Sequence, residues 1–100
     1  MSKHVGRKQR WTRQDDRRYS SPLGQVFYEQ NGWYALLDYR TLAAEGEGGL
    51  PVWVAHRTRL GPFKRPRNAM VALEREVTVL RNRHGENLLL AGQLWGEAQA

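Results

Sequence analysis

Residues 25–40 read QVFYEQNGWYALLDYR, and this stretch decides the fold. Two runs rich in aromatic and β-branched residues, Gln25–Gln30 and Trp33–Arg40, flank Asn31-Gly32. Asn-Gly between two such runs predicts a β-hairpin, because both central residues of a type I′ turn need positive φ. A two-residue turn at Asn31-Gly32 would set the register. Gln30 would face Trp33, Tyr28 would face Ala35, and Val26 would face Leu37. Glu29 with Tyr34, Phe27 with Leu36, and Gln25 with Asp38 would share the opposite face. The face holding Val26, Tyr28, Trp33, Ala35 and Leu37 is the expected inner one.

Toward the carboxy terminus, Thr41–Gly49 (TLAAEGEGG) reads as a loop with a Gly-rich end. A third strand follows from Val52 to Arg59. Val52, Val54, His56 and Thr58 point one way, with Val52 and Val54 expected to join the inner face. Trp53, Ala55, Arg57 and Arg59 point the other way. Gly61-Pro62 is expected to break this strand. A helix should start near Pro66, since proline suits a first helical turn, and run to about Arg83. Ala69, Met70, Leu73, Val77 and Leu80 recur at helical spacing. Arg81, Arg83 and His84 suit the negative end of the helix, and Gly85 is a stop. The fold class is therefore α+β: a three-stranded antiparallel sheet with one long helix packed on one face and a basic amino-terminal arm. The parts are an arm over 1–22, a β-β-β-α domain over 23–85, and an apolar segment over 86–100. Leu88–Trp95 reads as a fourth strand, a short helix over a sheet edge, or a dimer contact, with packing on the same domain preferred.

Toward the amino terminus, residues 1–22 are polar and end in Ser20-Ser21-Pro22. They offer few apolar groups to offset the entropy of ordering. Trp11 and Tyr19 stand out; each either docks on the folded part or stacks on bases.

Charge is the second signal. The net charge is +6, and Arg supplies 13 of the 16 cations. A GC-rich genome would favour Arg over Lys but would not cluster it. Residues 1–22 carry +5, 23–50 carry −3, 51–84 carry +6 and 85–100 carry −2. Two basic regions around an acidic middle are the footprint of a polyanion binder. Arg57, Arg59, Lys64, Arg65 and Arg67 crowd into RTRLGPFKRPR at the strand-to-helix corner. Cations there oppose the helix dipole, so stability alone would place acids instead. Free N–H groups at a helix start attract phosphate. The competing reading is a solvated surface balanced by Glu74 and Glu76, further along the helix. On the outer sheet face, Phe27, Tyr34, Arg40, Trp53, Arg57 and Arg59 interleave rings with guanidinium groups. That face reads either as a stacking and phosphate platform or as core, if the carboxy-terminal segment covers it.

Other chemistry finds little support. His4, His56 and His84 are far apart and lack a metal-binding spacing. Asp15-Asp16 sits among Arg13, Arg17 and Arg18, where ion pairing is its simplest use. With no Cys, disulfides, thiolate metal sites and Cys nucleophiles are all excluded. Neither a signal-peptide core nor a run long enough to span a membrane is visible. The expected protein is a cytoplasmic, non-enzymatic one without a cofactor or membrane partner.

Gly61-Pro62-Phe63 followed by Ala69 and Ala72 fits the spacing Gly-x-Phe, five residues, Ala, two residues, Ala. This resembles the strand-to-helix corner of three-stranded-sheet DNA-binding domains, the plant ethylene-response-factor type and the amino-terminal domains of tyrosine integrases. The resemblance covers about residues 25–80. Trp33 is similar to an aromatic those domains often carry. It implies a sheet that enters the major groove with a helix behind it, and it implies base or phosphate contacts from Arg40, Arg57 and Arg59. The long Thr41–Gly49 loop, Pro62 and Pro66 depart from the pattern. The sporulation-related peptidoglycan-binding repeat has a similar Gly-Pro-Phe corner, but it needs a helix where Asn31-Gly32 leaves no room. The expected nucleic-acid contacts, with DNA favoured over RNA, are Arg7, Lys8, Arg10, Arg13, Arg40, Arg57, Arg59, Lys64, Arg65, Arg67, Tyr34 and Trp53. The alternative is a small regulator or inhibitor of a larger nucleic-acid machine. It would bind protein, or itself, through Leu88–Leu90 and Trp95.

Overall fold

The computed structural model describes residues 11–43 and 47–91. Its elements are β1 (Thr12–Asp15), β2 (Arg18–Ser20), β3 (Gln25–Glu29), β4 (Gly32–Leu42), β5 (Trp53–Phe63), α1 (Pro66–His84) and β6 (Leu88–Leu90). The architecture is α+β, and the antiparallel sheet has six strands where three were expected. β1 to β5 follow one another as a meander, and β6 pairs with β4 beside β3.

Two of the extra strands arise inside the stretch expected to be a mobile arm. β1 and β2 form a hairpin around Asp15-Asp16-Arg17, where the Asp15 carboxylate accepts from the Arg17 backbone N–H at 2.7 Å. Such a local Asp turn mimics a backbone turn. Two aromatic anchors hold the hairpin down. The Trp11 indole N–H donates to Glu74 on α1 at 2.9 Å, and Tyr19 packs on Trp33 with ring centroids 5.9 Å apart. Both rings therefore dock on the domain.

The central hairpin forms with its turn one residue earlier than Asn31-Gly32 predicts. Phe27 faces Tyr34 and Val26 faces Ala35, so Gln30 and Asn31 make the loop, with Gln30 at φ 50°. Gly32 has another use: a Cβ there would lie 2.9 Å from the Phe63 carbonyl and the Pro62 ring. The face assignment survives the shift, because each residue's partner moves by two and stays on the same side.

β5 also differs from expectation. It continues through Gly61-Pro62, whose peptide is cis, to Phe63. The ladder slips by one residue there, a bulge opposite Tyr34. Proline is tolerated there because it sits at the bulge of an edge strand, where a ladder hydrogen bond is already interrupted. Gly61 takes φ 128° and lies against Trp33 and Tyr34, where a side chain would collide.

The helix packs its Ala69, Leu73, Val77 and Leu80 stripe across β3, β4 and β5. Val26, Leu37, Leu73, Val77 and Leu90 are fully buried, each worth about 1.5–3 kcal/mol of transfer free energy. Leu88 and Leu90 enter this same core. α1 begins just after β5 and ends at β6, on the other side of β4. It therefore crosses the sheet diagonally and leaves the first half of β5 bare. Val52 and Val54, expected in the core, are exposed for this reason.

Candidate nucleic-acid interface

Strand alternation places Arg18, Gln25, Phe27, Glu29, Tyr34, Leu36, Asp38, Arg40, Trp53, Arg57 and Arg59 on the outer face. Among the described residues no second layer covers it. β6 extends the sheet at β4 and sends Leu88 and Leu90 inward, so it does not roof this face. Nor can those two leucines anchor a partner. Trp95 lies outside the described residues.

The centre of the face is an aromatic and guanidinium stack. Phe27 and Tyr34 are cross-strand partners with ring centroids 6.0 Å apart and planes 24° from parallel. The Arg59 guanidinium lies 4.1 Å from the Tyr34 ring centroid and 5.6 Å from that of Phe27. It also pairs with Glu29. Tyr34 donates its hydroxyl to Asn31 at 2.9 Å, which fixes the ring's tilt. Arg57 makes a two-pronged contact with Asp38, Nε to Oδ1 at 2.6 Å and Nη2 to Oδ2 at 3.1 Å. The hydrogen bond to Asp38, then its charge, raises the Arg57 pKa above the ordinary guanidinium value. A hollow of about 400 Å³ with Ala55 and Ala91 in its lining lies beside Asp38, Arg40 and Arg57. Arg40 is exposed and Trp53 stands at its edge of the face.

The corner that follows β5 has different electrostatics. Lys64, Arg65 and Arg67 are exposed, and none has a carboxylate partner among the described residues. Arg65 occupies the N-cap position in an extended conformation without a capping side chain, and no acid stands in the first turn. The first N–H groups of α1 and three cations thus share one end of the sheet, the same end as the Glu29–Gly32 turn, because Phe63 faces Trp33. Glu74, a counter-charge in the competing reading, accepts from Trp11 and pairs with none of these three cations.

The other expected contacts divide. Arg13 is exposed on β1 but pairs with Asp16. Arg7, Lys8 and Arg10 lie outside the described residues. Arg18 was not expected; β2 carries it onto the outer face beside Phe27, where it donates to Gln25 at 2.8 Å. Its only sequence signal was the Asp-rich turn before it. His56 stacks on Tyr39 at 4.9 Å and hydrogen-bonds Thr41, and His84 sits in the last turn of α1. No group of three metal-ligating side chains occurs among the described residues. No described helix is long and apolar enough to cross a membrane.

The chain matches no protein-family model, no curated protein and no solved structure.

Proposed function

We propose that this protein is a non-enzymatic nucleic-acid-binding protein that acts on DNA in preference to RNA. The outer sheet face is the contact surface, and the Lys64–Arg67 corner supplies phosphate contacts beside it. The observation that carries this reading is a contrast in charge compensation. Arg57 and Arg59 are each held by an acid of their own sheet, whereas Lys64, Arg65 and Arg67 have none among the described residues. Three uncompensated cations at the positive end of a helix work against folding stability. An incoming polyanion removes that penalty.

Each group has its own role. Lys64, Arg65 and Arg67 bind phosphodiesters and set position, without reading sequence. Phe27, Tyr34 and Trp53 offer ring faces for bases or sugars, with Arg59 extending the stacked surface. Arg40 and Arg57 flank the hollow at the far end, and Asp38 keeps the Arg57 fork aimed along the face. The resemblance of the Gly61-Pro62-Phe63 corner to three-stranded-sheet DNA-binding domains agrees with a sheet that meets the groove while a helix backs it. An outer face that no described residue layers over, with the helix behind it, supports that mode of docking.

A fluorescence titration against single-stranded DNA, duplex DNA and RNA at several salt concentrations tests the proposal. With six to eight phosphates neutralised, log affinity against log salt should fall with a slope of roughly −5 to −7 on duplex DNA. A flat salt response would exclude the mechanism.

A further inference from the structure

The first half of β5 is an unprotected edge of the sheet. Its outer edge pairs with no described strand. Trp53 to Arg57 are exposed on both faces because α1 crosses away from them. Of the six exposed large apolar residues among those described, four lie in this half or just before it: Leu50 at 68%, Val52 at 42%, Trp53 at 36% and Val54 at 41%. A long edge with a row of free N–H and C=O groups is a template for another strand. Proteins usually blunt such edges with Lys, Pro or an inward charge. From Trp53 to Arg57 this strand carries no Lys and no Pro; Pro62 and the bulge beside it lie at its far end.

We infer that the β5 edge is a self-association surface, where two copies of this chain pair antiparallel through β5 about a two-fold axis at Ala55. Three features select a second copy as the occupant. First, the edge is self-complementary in this register. Trp53 would face the partner's Arg57 and Val54 the partner's His56, with no cation opposite a cation. Ala55, the smallest side chain of the run, would meet its own copy at the axis. Second, Arg57 and Arg59 are already matched by Asp38 and Glu29, so the edge itself brings no unpaired cation of this strand against the partner's edge. Third, a two-fold axis normal to the sheet keeps both outer faces on one side and both helices on the other. The dimer would bury the exposed Leu50–Val54 run and present one continuous cationic face. This inference stands without the nucleic-acid reading, and its test uses no nucleic acid.

The chain has no Cys, so a single introduced thiol reports geometry directly. Directly opposed residues of an antiparallel pair have Cα atoms about 4.5–5.5 Å apart, within the reach of a disulfide. Full-length Ala55→Cys under mild oxidant should form a covalent dimer roughly tenfold or more faster than Arg81→Cys, an exposed position on α1, because pairing raises the local thiol concentration. Light scattering after size exclusion should show a concentration-dependent dimer for the unmodified chain. It should show a monomer for Trp53→Lys with Val54→Lys at unchanged circular dichroism. Equal cross-linking of the two Cys variants, a monomer at every concentration, or a dimer that survives the double Lys change would each overturn the inference. Should the double variant unfold, the cross-linking comparison decides alone.

Discussion

The inner and outer faces of the sheet are made from alternate residues of the same strands, yet they are stabilised by different physics. Along β4, Ala35 and Leu37 point in and are fully buried, while Tyr34, Asp38 and Arg40 point out. The inner contacts are apolar and shielded by α1. The outer contacts are rings, guanidinium groups and ion pairs in water, where exposed pairs add little to folding. The comparison teaches that, among the described residues, the outer face contributes less to folding than the inner one. A sheet needing only a helix on one side could carry Thr, Lys and Glu on the other. This one carries Phe27, Tyr34, Trp53 and four arginines, Arg18, Arg40, Arg57 and Arg59.

The largest effect should come from breaching the inner face. Leu37→Ala removes a side chain at 0% exposure and should cost about 2–5 kcal/mol of unfolding free energy, read as a lower denaturant midpoint. Arg40→Ala, three residues along the same strand but facing out, should stay within about 0.5 kcal/mol. Comparable losses at the two sites would erase the distinction between the faces.

Next in size is the corner, where stability and binding should move in opposite directions. Changing Lys64, Arg65 and Arg67 together to Ala removes three proposed phosphate contacts. The salt slope on duplex DNA should become shallower by about 0.9 per contact, roughly 2.7 in all. Thermal stability should hold or rise slightly, since each cation removed from a helix start relieves about 0.3–1 kcal/mol or less. An unchanged slope would place the contacts elsewhere on the surface.

Tyr34→Ala probes the stack between Phe27 and Arg59. Affinity for single-stranded DNA should fall by about 1–3 kcal/mol, the range for one base–aromatic contact. Duplex affinity should change less, because paired bases do not offer a ring face. Equal losses on both substrates would point to groove packing rather than stacking.

How much of this was legible in the residues varies by element, for physical reasons. The helix stripe Ala69, Leu73, Val77 and Leu80 is a strong periodic signal, and α1 forms where it predicts. The two faces of β3 and β4 were also readable, since parity survives a turn displaced by one residue. The turn itself was misplaced because Gly32 serves a close approach by Pro62 and Phe63, a tertiary demand that no local pattern encodes. β1 and β2 were hidden for a related reason. Thr12–Asp15 is exposed throughout, so it has no alternation to read, and Trp11 and Tyr19 hold the hairpin through contacts distant in sequence. At the candidate site the cations were visible, but their partners were not. That Asp38 would claim Arg57 follows from strand register, which sets the two opposite each other.

The smallest expected effect is also the most direct test of whether the acids on the outer face restrain or assist binding. Asp38→Asn keeps the shape of the side chain and removes one negative charge from the middle of the surface. Arg57 then loses the contact that raises its pKa, but a guanidinium remains protonated at any working pH. The change in binding therefore comes from the field at the surface and not from ionisation. Affinity for duplex DNA should rise modestly, the rise should fade as salt screens the site, and it should be the same at pH 6 and pH 8. If affinity falls instead, the carboxylate is holding the Arg57 fork in the orientation a phosphate or base edge needs. The outer face would then be a pre-set constellation rather than a field of charge, and Glu29 beneath Arg59 would be expected to act in the same way.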